Sequence, residues 1–199
     1  MEVTDPWIRQ EEVIQTPRLL LHHICAVDLI TLLKDPENLT IYQNMPYLNP
    51  HRVLVDESGP LRWRVPQVEA DPTVNKWFIR WITLKESQEI IGSTSFHGAP
   101  NLEGMIEIGI GIHENFRREG FARESLMGFW NWATKNPAVK ILRYTVSPQN
   151  LPSMQLIHSL GFERVNEQID EEDGLEYIYE ISSIKYREIY SSSNARSKE

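Results

Sequence analysis

The stretch Met105-Ile-Glu-Ile-Gly-Ile-Gly-Ile-His-Glu-Asn-Phe-Arg-Arg-Glu-Gly-Phe-Ala-Arg123 decides how this chain is read. It opens on strict alternation. Ile106, Ile108, Ile110 and Ile112 fall on one face of a strand, and Met105, Glu107, Gly109 and Gly111 fall on the other. A polar turn at His113 to Phe116 follows. The next segment carries Ala122, Leu126, Phe129, Trp130 and Ala133 as an apolar stripe at helical spacing.

Between strand and helix lies Arg117-Arg118-Glu119-Gly120-Phe121-Ala122, the pattern R-x-x-G-x-A. A loop at this point can aim free backbone N–H groups, and the positive end of the helix, at one anion. Gly120 and the small Ala122 let a phosphate approach the backbone, and Arg117 and Arg118 add charge. A pyrophosphate cradle is the expectation, set beside the plainer reading of Gly120 as a turn residue.

The segment resembles the acyl-CoA loop of the GNAT N-acetyltransferase superfamily, [QR]-x-x-G-x-[GA]. A second motif follows at the right distance: Asn150-Leu-Pro-Ser153, then Leu160-Gly161-Phe162 after a short helix. The opening Thr16-Pro-Arg-Leu-Leu-Leu21 is similar to the start of the branch that acetylates ribosomal-protein N-termini. The resemblance covers roughly residues 18–184. It implies an α/β GNAT fold, a mixed, mostly antiparallel sheet flanked by helices, with a V-shaped splay between two parallel central strands. The implied activity is N-acetylation of a primary amine by direct attack on acetyl-CoA.

Outward from this stretch, local signals outline a domain over 16–185, with a polar arm at 1–15 and an unstructured tail at 186–199. Residues 19–24 read as a strand, and a helix begins near Asp28 and stops at Pro36. Segments 76–84 and 90–97, with a polar turn between, read as an antiparallel pair leading into the organising strand. Residues 140–146 after the helix read as its parallel neighbour, reached by a crossover. Residues 162–165 and 175–184 close the sheet as a hairpin. Residues 41–73, dense in proline, show no long element, although Arg62 to Arg64 and Val53 to Val55 suggest short ones. By resemblance this region shapes acceptor choice; a packed surface excursion is the alternative.

Composition narrows the class. The chain has 199 residues, a formal net charge of −8, six histidines and one cysteine. A basic stripe for nucleic acid is missing, and an acidic surface suits a cationic amine as well as plain solubility. There is no run approaching a membrane span and no leader pattern, and Cys25 has no disulfide partner within the chain, so a cytoplasmic location is expected. The histidines lack metal-ligand spacing, and no metal is expected.

Amide formation requires a held donor, a neutral amine, donors for the developing oxyanion and a proton for the leaving thiolate. By resemblance the cradle from Arg117 to Ala122 (Arg117, Arg118, Glu119, Gly120, Phe121, Ala122) binds the phosphates. Backbone groups of Ile110 and Ile112, where the parallel strands part, take the pantetheine arm and acetyl carbonyl, with the oxyanion donor near Ile110. Asn150 either hydrogen-bonds pantetheine or caps its helix. Glu107 shares a face with Gly109 and Gly111 and is either the general base or an exposed strand carboxylate, with His97 and His113 behind it. Many family members carry an acid tyrosine four residues before the second motif's glycine. Here that residue is Ile157, so Ser153 is the substitute acid, or else a helix-start hydroxyl. Trp63, Trp77 and Trp81 either line an acceptor pocket or pack in the core. The acceptor is an amine, on a protein N-terminus or a small molecule, and a homodimer is allowed. A GNAT-like domain that binds acyl-CoA without turnover is the rival reading.

Overall fold

The structure is a computed structural model that describes residues 5–42, 45–172 and 174–196, with side chains described as far as 190. The chain divides into two compact units, Met1–His97 with Ile110–Gly128, and Gly98–Gly109 with Phe129–Glu199.

In the first unit the strands β1 (Ile14–Gln15), β2 (Leu19–His23), β3 (Arg80–Leu84) and β4 (Ile90–Phe96) follow one another as antiparallel neighbours. The end of β5 (Met105–Ile112) lies beside β4, with the His113 N–H donating to the Ile91 carbonyl at 2.8 Å. This approach explains Gly92: a Cβ there would stand 2.2 Å from the Gly111 carbonyl oxygen. Helix α1 spans Ala26–Lys34 and buries Ala26, Leu29 and Leu32. It starts two residues before Asp28, from Cys25, which makes no side-chain cap.

Residues 41–73 hold more regular structure than their prolines suggest. Helix α2, Leu61–Ala70, buries Leu61, Val65 and Val68, and Arg64 reaches Ser95 Oγ at 3.3 Å. Two of the prolines bracket it, Pro60 at the N-cap and Pro72 just past Asp71 at the C-cap, and Pro66 inside it is exposed. Asp71 then caps a 3₁₀ turn, Pro72–Trp77, by accepting from Thr73 N. That turn occupies the start of the strand expected from residue 76, and β3 begins only at Arg80. Trp77 and Trp81 are core residues, whereas Trp63 is half exposed.

The arm ahead of residue 16 is tied down from residue 7 onward. Ile14 and Gln15 pair with Leu21 and Leu20, the Val27 N–H donates to Trp7 O, and Arg80 Nη1 donates to Glu12 O at 2.9 Å. Buried Arg80 needs main-chain acceptors, and the polar arm supplies one. Residues 1–4 lie outside the described residues.

In the second unit the start of β5 pairs in parallel with β6 (Ile141–Val146), β6 pairs antiparallel with β8 (Gly174–Ser182), and β8 with β7 (Glu163–Asp170). The sheet is thus mixed, with the expected parallel pair at its middle strands. Helix α3, Phe121–Ala133, is the crossover. Its second half buries Trp130 against Phe162, Tyr186 and Tyr144. Helix α4, Leu151–Ser159, ends at Gly161, whose φ of +82° is the left-handed C-cap conformation, and Phe162 folds into the core. The tail differs from expectation: α5 runs Ser183–Arg196. Tyr186 is buried against Trp130, and a Cβ at Gly161 would meet Ile189 Cδ1 at 2.8 Å. These apolar anchors, one turn apart, hold a helix whose composition is otherwise polar. Residues 197–199 lie outside the described residues.

Candidate active site

The parallel pairing of β5 and β6 is short. It runs Met105↔Ile141, Ile106↔Leu142, Glu107↔Arg143 and stops there, although β6 continues to pair with β8 as far as Val146↔Tyr177. The registered parallel pairs thus end at Arg143, three residues before the end of β6. Along β5, Ile106 and Ile108 are buried while Glu107 is half-buried. Gly111 is exposed, with nothing within 4 Å of where its Cβ would be, so that position leaves open space.

The loop after β5 belongs to the first unit. Its turn, Glu114–Phe116, closes with the Arg117 N–H on Glu114 O. Beyond it, Arg118 has φ +68° and Gly120 φ +81°. Left-handed residues alternating with ordinary ones turn successive N–H groups toward one side, the geometry of an anion nest. Among the described residues no acceptor takes the N–H groups of Arg118, Glu119, Gly120, Phe121 or Ala122, and the first helical bond of α3 is Glu124 N to Gly120 O. These free amides at a helix N-terminus are suited to a diphosphate. Arg117 is turned away: its Nε donates to Ile112 O at 3.0 Å and braces the end of β5. Arg118 and Glu119 are exposed, and Phe121 and Ala122 are half-buried.

A set of contacts not anticipated from the sequence holds this loop. Glu124, in the first turn of α3, takes Thr16 Oγ1 at 2.5 Å, Arg18 N at 2.7 Å and Arg18 Nε at 2.7 Å. Arg18 Nη1 donates to Glu119 O at 3.0 Å, and the guanidinium lies 4.4 Å from the centre of the Phe121 ring. Burial raises the Glu124 pKa, but the bonds from Thr16 and Arg18 and the Arg18 charge outweigh it and hold the carboxyl below its usual range. No local sequence pattern signals this set, because Thr16 and Arg18 are separated from Glu124 by 108 and 106 positions.

The second unit carries the remaining candidates. Glu107 Oε1 accepts from Thr145 Oγ1 at 2.7 Å, so its carboxylate is already engaged on β6. Asn150 is the N-cap of α4, its Oδ1 accepting from Ser153 N at 3.2 Å, which is the capping alternative for that residue. Ser153 leaves its hydroxyl free of the cap and places it 2.8 Å from the Tyr144 hydroxyl. Burial pushes the Tyr144 phenol up, with the Ser153 bond opposing, so this tyrosine keeps its proton. Ile157 is fully buried and carries no proton to give. His97 is exposed; His113 stacks at 4.6 Å on His51 and accepts from Asn115 N, a turn-forming role. Burial raises the Cys25 thiol to about 11, which removes it as a nucleophile. Among the described residues no cluster of His, Cys, Asp or Glu is arranged to hold a metal ion.

The acetyltransferase (GNAT) domain profile matches residues 18–163, from Arg18 through the second motif. The chain belongs to the GNAT acetyltransferase family. Among curated relatives, an uncharacterized N-acetyltransferase of Bacillus subtilis, YjdG, is 36% identical over 44% of this chain. The match spans 52% of that relative's length. An uncharacterized N-acetyltransferase of Bacillus licheniformis, p20, is 26% identical over 77% of this chain and 83% of its own. Solved structures of the same fold include the ribosomal-protein-S5-alanine acetyltransferase of Vibrio fischeri, with TM-score 0.60, 13% identity and coverage of 88% of this chain and 99% of the other. A GCN5-related N-acetyltransferase of Brucella melitensis superposes with TM-score 0.61 at 14% identity, covering 95% and 88%.

Proposed function

We propose that this GNAT domain transfers an acetyl group from acetyl-CoA to a primary amine by direct attack, without an acyl-enzyme. The observation that carries the reading is the run of unbonded N–H groups from Arg118 to Ala122, shaped by left-handed Arg118 and Gly120. Converging amides of this kind match a diphosphate and lack any use in the fold itself. In this proposal Arg118, Glu119, Gly120, Phe121 and Ala122 hold the donor, Arg117 braces the end of β5 instead of reaching it, and backbone groups of Ile110 and Ile112 receive the pantetheine arm and carbonyl. Asn150, which caps α4, is proposed as a further hydrogen-bond partner of the pantetheine arm.

The donor supplies an activated acyl group on a thiol that leaves readily. The amine nitrogen forms the new C–N bond as the C–S bond breaks. One proton leaves the amine and one reaches the thiolate. Glu107 is proposed as the acceptor for the first, directly or through water, with Thr145 fixing its carboxylate. Ser153 is proposed as the donor of the second. A buried Tyr144 that keeps its own proton can donate to Ser153 Oγ, which frees the serine proton to point elsewhere. The acceptor is proposed as an amine on a protein N-terminus or a small molecule, and the location as cytoplasmic. Ile157 in place of a tyrosine favours a second reading, a domain that binds acyl-CoA without turnover.

Thiol release from acetyl-CoA, followed across a library of primary amines and N-terminal peptides, separates the readings. Amine-dependent release is expected. Tight CoA binding with no release for any acceptor refutes the enzyme reading, and absence of CoA binding refutes both.

A further inference from the structure

We infer that Arg18, on the approach to β2 and far in sequence from the acyl-CoA loop, is a phosphate-binding residue of the cradle, held in place by Glu124. The inference rests on the donor reading above. Arg18 carries its guanidinium to the loop and divides its donors. Nε is committed to Glu124 Oε2 and Nη1 to Glu119 O. Among the described residues Nη2 has no acceptor, and it stands beside Gly120: a Cβ built on that glycine would lie 3.4 Å from it. Thus a charged, unspent fork edge stands beside the backbone position that must stay bare for a ligand to approach.

The way Arg18 is held argues against a chance surface contact. Its side chain is about half exposed, at 48%, yet it is fixed at several points. Glu124 grips Nε and the Arg18 main-chain N–H, Thr16 shares the same carboxylate, and the plane lies on Phe121. A pair kept only for charge would need none of the ring contact or the carbonyl of Glu119. Partial exposure on an immobilised guanidinium is the condition in which an arginine can take an anion with little ordering left to lose. Glu124 in this scheme is a positioning residue: it aims Arg18 and does not itself face the diphosphate, which its charge would repel.

The test is calorimetric CoA binding by the wild-type chain and by Arg18→Met, Arg18→Lys and Glu124→Gln, with each unliganded melting temperature recorded. Loss of one charge-assisted contact predicts about tenfold weaker CoA binding for Arg18→Met. Arg18→Lys should recover part of that, to about threefold below wild type, because an ammonium keeps the charge but not the fork. Glu124→Gln should fall between the wild-type and Arg18→Met values. Wild-type affinity in Arg18→Met overturns the inference while leaving the cradle intact. An Arg18→Lys variant as weak as Arg18→Met also overturns it, since bracing alone would then explain the loss. A wild-type chain that binds no CoA overturns the inference together with the donor reading. If Arg18→Met does not melt cooperatively, Arg18→Lys decides alone, and wild-type affinity there refutes the phosphate contact.

Discussion

His23 makes the stability of this protein fall as pH drops through the range where an exposed histidine would merely gain a charge. The residue is 1% exposed on β2. Its Nδ1 accepts from the Glu11 N–H at 3.2 Å, which leaves Nε2 as the protonated nitrogen, donating to Asn75 O at 3.0 Å. A second proton would have to enter at Nδ1. That would break the bond to Glu11 and place a cation in the same buried region as Arg80. Burial first, and then the Arg80 charge, lower the His23 pKa from 6.5 to about 3. The folded state therefore stays unprotonated in a window where the unfolded chain binds a proton. Stability contributed by the neutral ring is complete above pH 6.5 and is lost as pH falls toward 3, at about 1.4 kcal/mol per pH unit. Integrated from pH 8 to pH 5, the loss from His23 is about 2 kcal/mol. Urea unfolding of the wild type and of His23→Gln at pH 8, 6.5 and 5 measures it. Glutamine can replace both hydrogen bonds without titrating, so the variant should be the less stable chain at pH 8 and should lose about 2 kcal/mol less than wild type on going to pH 5. His22, whose pKa burial and Arg80 also lower, contributes in both chains and cancels in the difference. Equal losses in the two chains refute the argument.

Gly120→Ala forces a side chain onto a φ of +81° with Arg18 Nη2 at 3.4 Å; a stability loss of about 1–2 kcal/mol and at least about tenfold weaker CoA binding are expected by chemical denaturation and calorimetry. Gly92→Ala drives a Cβ to 2.2 Å from the Gly111 carbonyl oxygen, and because that neighbour is backbone, urea unfolding should show a loss above about 2 kcal/mol. Ser153→Ala keeps the Asn150 cap, which is made to the Ser153 N–H, but removes the partner of the buried Tyr144 hydroxyl, so urea unfolding should show a stability loss of about 1–2 kcal/mol. Its turnover should fall about 100-fold if the hydroxyl passes a proton to the thiol, and an unchanged kcat would remove Ser153 from that role.

Periodicity alone determined most of the second half of this chain. Alternating isoleucines mark β5, the apolar stripe marks α3, and Gly161 followed by Phe162 marks the end of α4. Each depends on forces between near neighbours in sequence, where a strand or helix period is legible. The loop proposed to hold the donor was legible for the same reason, since its glycine falls between a strand period and a helix period, where the chain must turn. Local pattern failed where long-range burial decides. Helix α2 survives Pro66 because Leu61, Val65 and Val68 are buried, and the tail is helical because Tyr186 meets Trp130. The arm is ordered because Arg80, buried in β3, takes Glu12 O as an acceptor. Only tertiary structure could disclose the clasp on the loop, because Thr16 and Arg18 lie more than a hundred residues from Glu124. Sequence carries the identity of each donor and acceptor, but whether a carboxylate becomes a clasp or a solvated charge depends on which distant groups the folded chain brings within 3 Å of it.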